Sequence, residues 1–392
     1  MYKILTLNNI SVKGLERLPR DRYEVASEFQ QPDAVLLRSF KMHDWEMPDT
    51  LKAVGRAGAG VNNIPVEKMS ACGIPVFNAP GANANAVKEL VLGCMLSAAR
   101  NLFPAWEYAR NLQGTDAEIS KQVEAGKKQF VGFELSKHTL GVIGLGAIGV
   151  KVANAAQALG MQVIGYDPHI TVKNAWQLSS YVKQALSVED MLSQVDFVTI
   201  HVPLQEATRH ILNAERLKEA RQGLMIFNFS RDGVVDDAAV CEAIKAGVVK
   251  AYVCDFPTKL LISHERVITL PHLGASTKEA EENCAVMVAD QVRDYLENGT
   301  VHNSVNFPEI EMPRNGGHRL LVVNSNVPHM IEHISSALAN ANLNIMDMLN
   351  RSRGEIACSL VDVNNPIPQG VVDEIGAKDG VLMVRMLRGE VL

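Results

Sequence analysis

The sequence lacks the features of several protein classes. Its 392 residues contain no long uninterrupted apolar run, which argues against a membrane-spanning helix. Basic residues are not in excess, because 38 Lys and Arg face 44 Asp and Glu and the formal net charge is −6. Bulk charge would therefore not hold a nucleic acid. The six cysteines include no Cys-x-x-Cys pair, which predicts reduced thiols in a cytoplasmic protein.

Metal-ligand patterns and targeting signals are also scarce. Among the eleven histidines, only His329 and His333 have a four-residue spacing on a plausible helix, and no third ligand stands nearby. The sequence therefore predicts no metal site. Residues 1–8 resemble a short strand rather than a signal peptide. We expect neither a membrane nor a nucleic-acid partner.

What the sequence does contain is alternating strand and helix signals. Apolar runs at 2–7, 34–37, 51–54 and 74–77, with an apolar stripe over 85–100, predict parallel strands and covering helices. A second alternation has strands at 139–143, 162–166, 197–200, 224–228, 251–254 and 267–269, which predicts a six-stranded doubly wound sheet. A long helix over 278–298 should pack back on the N-terminal unit.

The last part of the chain has a different pattern. Residues 305–317 are rich in Pro, Gly and charge and indicate a linker. Strands at 319–324, 345–351, 355–362 and 381–387, with helices at 329–341 and 369–375, predict a ferredoxin-like split βαβ. We therefore expect an α/β chain with a discontinuous first domain at 1–95 plus 278–304, a second domain at 96–277, and a third at 318–392.

A glycine-rich turn follows the strand at 139–143. Gly144, Gly146 and Gly149 have the spacing that permits a tight turn, a pyrophosphate against the backbone, and close packing of a helix on the strand. Asp167 ends the next strand, where a ribose 2′-hydroxyl needs an acceptor, and no Arg or Lys directly follows it to receive a 2′-phosphate. These residues predict binding of NAD rather than NADP.

Two polar side chains follow later strands of the same predicted sheet. Arg231 could hold a substrate carboxylate through two hydrogen bonds, or could be a surface arginine paired with Asp232 or Asp236. His272 could exchange a proton with an alcohol or carbonyl, or could serve only as a structural hydrogen-bonding group. Ligands bind at the carboxyl ends of strands in open α/β sheets, which favours the functional interpretation of both.

Together, Gly144–Gly149 with Asp167, Asn228–Gly233 and Pro271–Thr277 resemble the D-isomer-specific 2-hydroxyacid dehydrogenase family. The loops at 37–39, 55–60 and 78–83 are similar to that family's substrate-domain loops, and the C-terminal unit resembles an ACT domain. The resemblance implies a flavodoxin-like substrate domain, a Rossmann NAD-binding domain and a ferredoxin-like regulatory domain. It also implies NAD-dependent oxidation of D-3-phosphoglycerate to 3-phosphohydroxypyruvate, in L-serine biosynthesis.

The resemblance also implies residue roles. Arg231 would clamp the substrate and His272 would be the acid/base. The phosphate or carboxylate would be held by Arg38, Ser39, Arg56 and Gly58. The cofactor would be bound by the glycine turn and strand ends, namely Gly144, Gly146, Ala147, Ile148, Gly149, Asp167, Val202, Phe229, Ser230, Asp255, Gly274 and Ala275.

One departure concerns the glutamate that the family places beside its histidine. Lys259 or Leu260 occupies the expected window here. Glu265 is the nearest carboxylate in sequence, and it is either a substitute acid or an ordinary exposed loop residue. Two alternatives therefore stay open, another D-2-hydroxyacid dehydrogenase or a catalytically weak NAD(H)-sensing scaffold.

The resemblance further implies regulation and assembly. Asn324, Asn326 and Asn344 match positions that bind L-serine between paired ACT domains in some relatives, although these residues could equally cap turns. His329 stands where the family usually has glycine, so its bulk could block or change the effector. Relatives dimerise through the NAD-binding domain, and residues 98–113 could belong to that contact. We expect a homodimer or homotetramer.

Overall fold

The computed structural model describes residues 1–387, so the last five residues of the predicted 318–392 domain lie outside the described part. The chain forms two compact units, one of residues 1–82 and 278–392 and the other of residues 83–277. The sequence instead predicts that the first segment of the discontinuous domain ends at residue 95 and that residues 318–392 form a separate domain. The division into three domains stays a prediction.

Strands and helices are numbered separately along the chain. The strands are β1 (Tyr2–Leu7), β2 (Tyr23–Ala26), β3 (Ala34–Leu37), β4 (Ala53–Arg56), β5 (Val76–Phe77), β6 (Thr139–Ile143), β7 (Gln162–Tyr166), β8 (Lys183–Gln184), β9 (Phe197–Ile200), β10 (Leu224–Asn228), β11 (Val249–Cys254), β12 (Val267–Thr269), β13 (His318–Ser325), β14 (Ile345–Arg353), β15 (Ile356–Val363) and β16 (Val381–Leu387). The α-helices are α1 (Val12–Leu15), α2 (Val66–Ala71), α3 (Ala84–Ala99), α4 (Leu102–Arg110), α5 (Asp116–Gly126), α6 (Ala147–Ala158), α7 (Val172–Gln177), α8 (Val188–Leu192), α9 (Ala214–Lys218), α10 (Asp237–Lys245), α11 (Lys278–Asn298), α12 (Met330–Asn340) and α13 (Gln369–Gly376).

The first unit contains a parallel sheet in the order β2-β1-β3-β4-β5. Helix α11 packs against β4 and α1, as the sequence predicts for the helix over 278–298. The packing is close because β4 carries Gly55, whose Cβ would lie 3.0 Å from the side chain of Val292. The carboxyl ends of β3 and β4 are thereby fixed beside the N-terminal part of this unit's longest helix.

The same unit contains an antiparallel sheet in the order β14-β15-β13-β16. Side chains alternate between its faces, so Leu320 and Val322 of β13 pack with α12 and α13, while Leu321 and Val323 pack with Tyr295 of α11. Because both faces are buried, the centre of β13, residues 320–323, is continuously apolar, although an antiparallel strand with one solvated face usually alternates. The strand order and connections are ferredoxin-like, so the predicted fold class is confirmed for this part.

Residues 305–317 are packed rather than extended into solvent. Phe307 is fully buried and Ile310 is 2% exposed in the core of the first unit. The side chain of Asn306 donates to the carbonyl oxygen of Ile74 and accepts from the N–H of Val76. The content of Pro, Gly and charge predicted a linker, whereas the apolar residues interspersed with them attach this segment to the sheet.

The second unit is a parallel sheet in the order β12-β11-β10-β9-β6-β7-β8. The order reverses between β6 and β9, which creates the crevice where ligands bind in doubly wound folds. Helices cover both faces, and α3 contributes Val91 and Met95 to the core beside α6. The Rossmann fold is therefore confirmed, with one more strand than predicted, because the two-residue strand β8 joins the edge at β7.

Candidate active site

The turn between β6 and α6 has the geometry of an anion-binding loop. Gly144 has φ +90°, and a Cβ there would lie 2.6 Å from the carbonyl oxygen of His201. A Cβ on Gly149 would lie 1.9 Å from the carbonyl oxygen of Gly144, so α6 packs directly on the turn. A Cβ on Gly146 would meet nothing within 4 Å. Open space therefore borders the first-turn N–H groups of α6, which begins at Ala147.

Asp167 connects this turn to the end of β7. Its Oδ2 accepts from the N–H of Leu145 at 2.8 Å, and its Oδ1 accepts from the N–H of His169 at 2.9 Å. A carboxylate offers about four lone-pair sites, so acceptor capacity is left for a diol. The carboxylate both shapes the glycine turn and lies where the sequence predicts a ribose acceptor.

At the end of β9, His201 and Val202 lie against the glycine turn. The Nε2 atom of His201 is 3.0 Å from Thr199 Oγ1, and its Nδ1 atom is enclosed without a partner among the described residues. Burial lowers the pKa of this imidazole to about 3, so the ring is neutral at physiological pH. The Cγ1 atom of Val202 would lie 2.7 Å from a Cβ on Gly144. Val202 thus borders the predicted cofactor turn.

The loop after β10 presents Arg231 through a buried asparagine. Asn228 is 1% exposed, and its Oδ1 accepts from the N–H and Oγ of Ser230 at 3.2 and 3.0 Å. Its Nδ2 donates to the carbonyl oxygen of Arg231 at 3.0 Å. Arg231 itself is exposed and makes no ion pair with Asp232 or Asp236 in the described part of the chain. The guanidinium donates from Nη1 to the carbonyl oxygen of Ser230 at 2.6 Å and is otherwise accessible to solvent, on a loop whose backbone is fixed.

Asp255 fixes the loop that carries His272. This carboxylate is 1% exposed and accepts from the N–H groups of Leu273 and Gly274 at 2.9 and 2.7 Å. His272 has φ +57°, a conformation that costs a non-glycine residue about 1 kcal/mol and needs such support. The predicted cofactor residue Asp255 thus also has a structural role, which positions the imidazole.

The imidazole of His272 is exposed and contacts the ring of Phe256 edge-on, with centroids 5.2 Å apart. Glu265 is 87% exposed, and its carboxylate faces Arg266 at 3.9 Å. Within residues 1–387, no hydrogen bond or ion pair joins Glu265 to His272. The geometry supports the exposed-loop interpretation of Glu265 and not its use as a substitute acid.

The predicted substrate-binding residues of the first unit lie together at the ends of β3 and β4. Arg56 Nε donates to the carbonyl oxygen of Arg38 at 3.1 Å, and the N–H of Ser39 donates to Asn8 Oδ1 at 3.1 Å. Gly58 has φ +153°, and a Cβ there would lie 1.7 Å from Arg56 Nη1. Glycine is thus required for the guanidinium to lie over this turn.

Comparison with known proteins identifies the family of this chain. Residues 92–274 match the model of the D-isomer specific 2-hydroxyacid dehydrogenase, NAD binding domain. A D-3-phosphoglycerate dehydrogenase of Haemophilus influenzae is 34% identical over 87% of this chain and 82% of its own length. The chain belongs to the D-isomer specific 2-hydroxyacid dehydrogenase family.

Two further members of this dehydrogenase family show the extent of the similarity. A D-3-phosphoglycerate dehydrogenase of Methanocaldococcus jannaschii is 36% identical over 81% of this chain, and the alignment spans 62% of that protein. The NAD⁺-bound crystal structure of 3-phosphoglycerate dehydrogenase from Entamoeba histolytica is 27% identical, with a TM-score of 0.61 over 78% of this chain and 98% of that one. The chain thus spans less than two thirds of the length of the Methanocaldococcus relative.

The family model that matches residues 92–274 is an NAD binding domain, and the second unit fits this cofactor. The open space beside Gly146 can take a pyrophosphate against the N–H groups of Ala147 and Ile148. Asp167 lies at the adjoining strand end, where the adenosine ribose would need an acceptor. NAD bound there supplies the hydride acceptor of the family's dehydrogenase reaction.

The C-terminal part has a polar cavity of about 330 Å³. Asn324 and Asn326 line it together with His329, Glu332 and Asn350. Asn324 Oδ1 is buried and has no hydrogen-bond partner among the described residues, and His329 has φ +69° with its Nδ1 atom 2.9 Å from Glu332 Oε2.

Asn344 does not line this cavity. Its N–H donates to Asn364 Oδ1 at 3.0 Å, immediately before β14. The three asparagines grouped by the resemblance are therefore divided between the cavity and a turn.

Within residues 1–387, no cluster of three or more His, Cys, Asp or Glu side chains could hold a metal ion. No helix in that range combines the length and apolar character needed to cross a membrane.

Sequence reasoning missed the residues that support the site. Asn228 belongs to the predicted motif Asn228–Gly233, but the sequence does not predict that it holds a loop backbone. The sequence also predicts no role for His201. The usable signal was a polar residue ending a wholly apolar strand, because such a residue must find buried partners.

Proposed function

We propose that this chain oxidises D-3-phosphoglycerate to 3-phosphohydroxypyruvate with NAD, as a step of L-serine biosynthesis. The observation that carries the proposal is the pair of strand-end loops in the NAD-binding unit. Both present an exposed reactive side chain, Arg231 or His272, on a backbone fixed by a buried polar residue. The names of the relatives from Haemophilus and Methanocaldococcus support the choice of substrate.

In the proposed mechanism, His272 accepts the hydroxyl proton of the substrate while a hydride passes from C2 to NAD. The C2–H and O–H bonds break, the C2–O double bond forms, and the imidazole carries the proton away. Arg231 binds the substrate carboxylate through two hydrogen bonds and stabilises the developing carbonyl. Asn228 and Asp255 fix the loop backbones from which these two side chains project, so less conformational freedom is lost when the side chains bind substrate.

The phosphate is assigned to the first unit. Arg38, Ser39, Arg56 and the turn at Gly58 offer two guanidinium groups and small residues at adjoining strand ends. Guanidinium groups suit a phosphate because they donate two parallel hydrogen bonds. An unphosphorylated acid such as lactate needs no such group.

A substrate panel tests this function. NAD reduction is measured with D-3-phosphoglycerate, D-glycerate and D-lactate at matched concentrations. We expect kcat/KM to be at least about 100-fold higher for the phosphorylated acid, because an acid without a phosphate cannot form charge-assisted hydrogen bonds with Arg38 and Arg56. A higher kcat/KM for an unphosphorylated acid would refute this function and would indicate another D-2-hydroxyacid dehydrogenase activity.

A second candidate is a non-enzymatic NAD(H)-sensing scaffold. It is favoured by one observation, the exposed position of Glu265, which leaves His272 without a carboxylate partner among residues 1–387. Such a partner orients the imidazole and stabilises its protonated form. Tight NADH binding without oxidation of NADH by 3-phosphohydroxypyruvate would establish this alternative.

We also propose that the C-terminal unit is an ACT-type regulatory domain whose cavity takes L-serine. Asn324 Oδ1 lacks a donor in the described structure, and the ammonium group of an amino acid would supply one. Titration of L-serine into the NAD-reduction assay tests it. If the rate of NAD reduction does not change with L-serine, regulation by L-serine is refuted, as expected if the side chain of His329 blocks the cavity.

We propose that the chain forms a homodimer or homotetramer, because α4 has exposed apolar residues. Leu102, Phe103 and Trp106 are 49%, 42% and 60% exposed on a helix without buried residues. Such a face is typical of subunit contacts. Light scattering that gives a monomer would remove this proposal.

A further inference from the structure

Arg38, proposed above to bind the substrate phosphate, already has an anionic partner within its own unit. Its Nη1 lies 2.7 Å from Oε1 of Glu281, in the first turn of α11. The two side chains are 40% and 47% exposed, so dissolved anions can reach the pair. A ligand that takes Arg38 must therefore compete with a carboxylate tethered beside it.

The neighbouring charges assign this role to Glu281 rather than to another acid. Glu282 pairs with Lys13 at 2.6 Å and lies 3.9 Å from Lys278. Glu279 is exposed and makes no ion pair with Arg38 in the part of the chain that the structure describes. Among the three carboxylates of this turn, only that of Glu281 forms an ion pair with the guanidinium of Arg38 within residues 1–387.

A cavity of about 270 Å³ borders the pair. Arg38 and Glu281 line it together with Lys278 and with Glu282, whose carboxylate is paired with Lys13. It is large enough for a phosphate group and lies beside the turn at the end of β4. An anion can approach Arg38 through this space without rearrangement of the sheet.

The charges of Arg38, Arg56 and Glu281 all influence the thiol of Cys284, which lies close to them. This thiol lies one turn beyond Glu281 on α11, and burial raises its pKa. The guanidinium groups of Arg56 and Arg38 oppose that increase, and Glu281 adds to it. An anion bound at Arg38 would be repelled by the carboxylate of Glu281 that it displaces, because that carboxylate contacts the same guanidinium.

We infer that Glu281 is a specificity-determining residue, a built-in competitor that lowers the affinity of Arg38 for free phosphate. The inference rests on the proposed function. A dianion is repelled by Glu281 more strongly than a monoanion or a hydroxyl group, so the penalty falls mainly on phosphate. A phosphate ester whose carboxylate is held at a second point has a high effective concentration at Arg38 and displaces Glu281, whereas inorganic phosphate does not.

The test compares Glu281→Gln with Glu279→Gln in the full chain. Both variants remove one negative charge from the same helix turn, but only Glu281→Gln frees Arg38. We expect Glu281→Gln to lower the Kd for inorganic phosphate, measured by calorimetry without cofactor, by about tenfold. Its KM for D-3-phosphoglycerate should fall several-fold while kcat stays within about twofold. Glu279→Gln should resemble the wild type in each measurement.

Two results would overturn the inference. One is equal phosphate affinity in the two glutamine variants, and the other is a fall in kcat with unchanged phosphate affinity. Glu281→Asp draws the carboxylate back by one methylene and should give an intermediate phosphate affinity, which provides the comparison if Glu281→Gln does not fold. Phosphate calorimetry needs no turnover, so a wild type inactive on D-3-phosphoglycerate refutes the proposed function without deciding the role of Glu281.

Discussion

At the scale of single residues, buried polar side chains position the exposed reactive ones. Asp255 accepts two N–H groups of the loop that carries His272, and Asn228 holds both ends of the loop that carries Arg231. The sequence predicts the reactive side chains because their chemistry is specific. It does not predict their supports, because these bonds depend on which backbone N–H groups tertiary structure brings near.

Replacement of His272 by alanine should abolish turnover. We expect kcat to fall by roughly 10³–10⁴-fold, because no other described side chain at this loop can accept the hydroxyl proton. NADH affinity, measured by fluorescence, should stay almost unchanged. Glu265→Gln is the matched control and should keep kcat within about twofold, because that carboxylate is 87% exposed. Normal turnover in His272→Ala would refute the assignment.

A second residue-scale prediction concerns His201 and acid. Its folded-state pKa of about 3 lies below the ordinary value of 6.5, so below pH 6.5 the unfolded chain binds a proton that the folded chain refuses. The stabilising contribution is complete above pH 6.5 and is lost as pH falls towards 3. The free energy of unfolding should therefore decrease by about 1 kcal/mol per pH unit from this group.

Urea unfolding at pH 7, 6 and 5 measures this effect. His201→Gln should remove its part of the slope, whereas His43→Gln should not, because that side chain is exposed. Equal slopes in the wild type and in His201→Gln would show that the folded chain protonates this imidazole as readily as the unfolded chain does.

At the scale of elements, two glycines of the turn between β6 and α6 have different roles. Gly149 allows the helix to pack on the turn, and Gly146 leaves space for the cofactor. Gly149→Ala places a methyl group 1.9 Å from a carbonyl oxygen and should destabilise the fold by about 1–3 kcal/mol. Gly146→Ala meets no protein atom within 4 Å, so it should fold normally but obstruct the pyrophosphate.

Thermal melts and NADH titrations distinguish these two variants. We expect a lowered Tm for Gly149→Ala, and an unchanged Tm with at least about tenfold weaker NADH binding for Gly146→Ala. Wild-type NADH affinity in Gly146→Ala would mean that the pyrophosphate lies elsewhere.

Sequence patterns predicted most elements because their apolar residues repeat with a clear period. The helix over 278–298 and the strand over 381–387 have the predicted bounds. Strand β8 was missed because both of its residues, Lys183 and Gln184, are exposed and only two residues pair. Strand β2 was missed because only Tyr23 of its four residues is buried.

At the scale of the whole molecule, the C-terminal sheet shares a core with the rest of its unit. Leu321, Val323 and Leu360 pack with Tyr295 and Leu296 of α11. The sequence could not show this, because an apolar strand buried on both faces has the same composition whether its cover comes from its own domain or from another.

Buried polar contacts reinforce that junction. Arg319 is fully buried, pairs with Asp362 at 2.7 Å, and donates to the carbonyl oxygen of Met312 at 2.8 Å. Because this ion pair is buried, removal of either side chain would leave an unpaired buried charge and would strongly destabilise the fold. The ion pair lies within the C-terminal sheet, whereas the hydrogen bonds of Arg319 to the carbonyl oxygens of Asn298 and Met312 join that sheet to α11 and to the segment after it.

Truncation tests this junction. A chain ending at residue 304 uncovers Tyr295 and Leu296, which are fully buried in the complete chain. We expect it to aggregate or to bind a hydrophobic dye, as large newly exposed apolar patches do. Size-exclusion chromatography with light scattering measures this. A monodisperse product with the full-length Tm would indicate an independently attached C-terminal domain instead.

Helix α11 extends from the ion pair of Arg38 to the C-terminal sheet. Its 21 residues contain neither proline nor glycine, the usual causes of kinks, and at 1.5 Å per residue it is about 30 Å long. One end carries Glu281 and the other is held under the C-terminal sheet. The carboxylate on Arg38 and the support of the C-terminal sheet are therefore parts of one uninterrupted element.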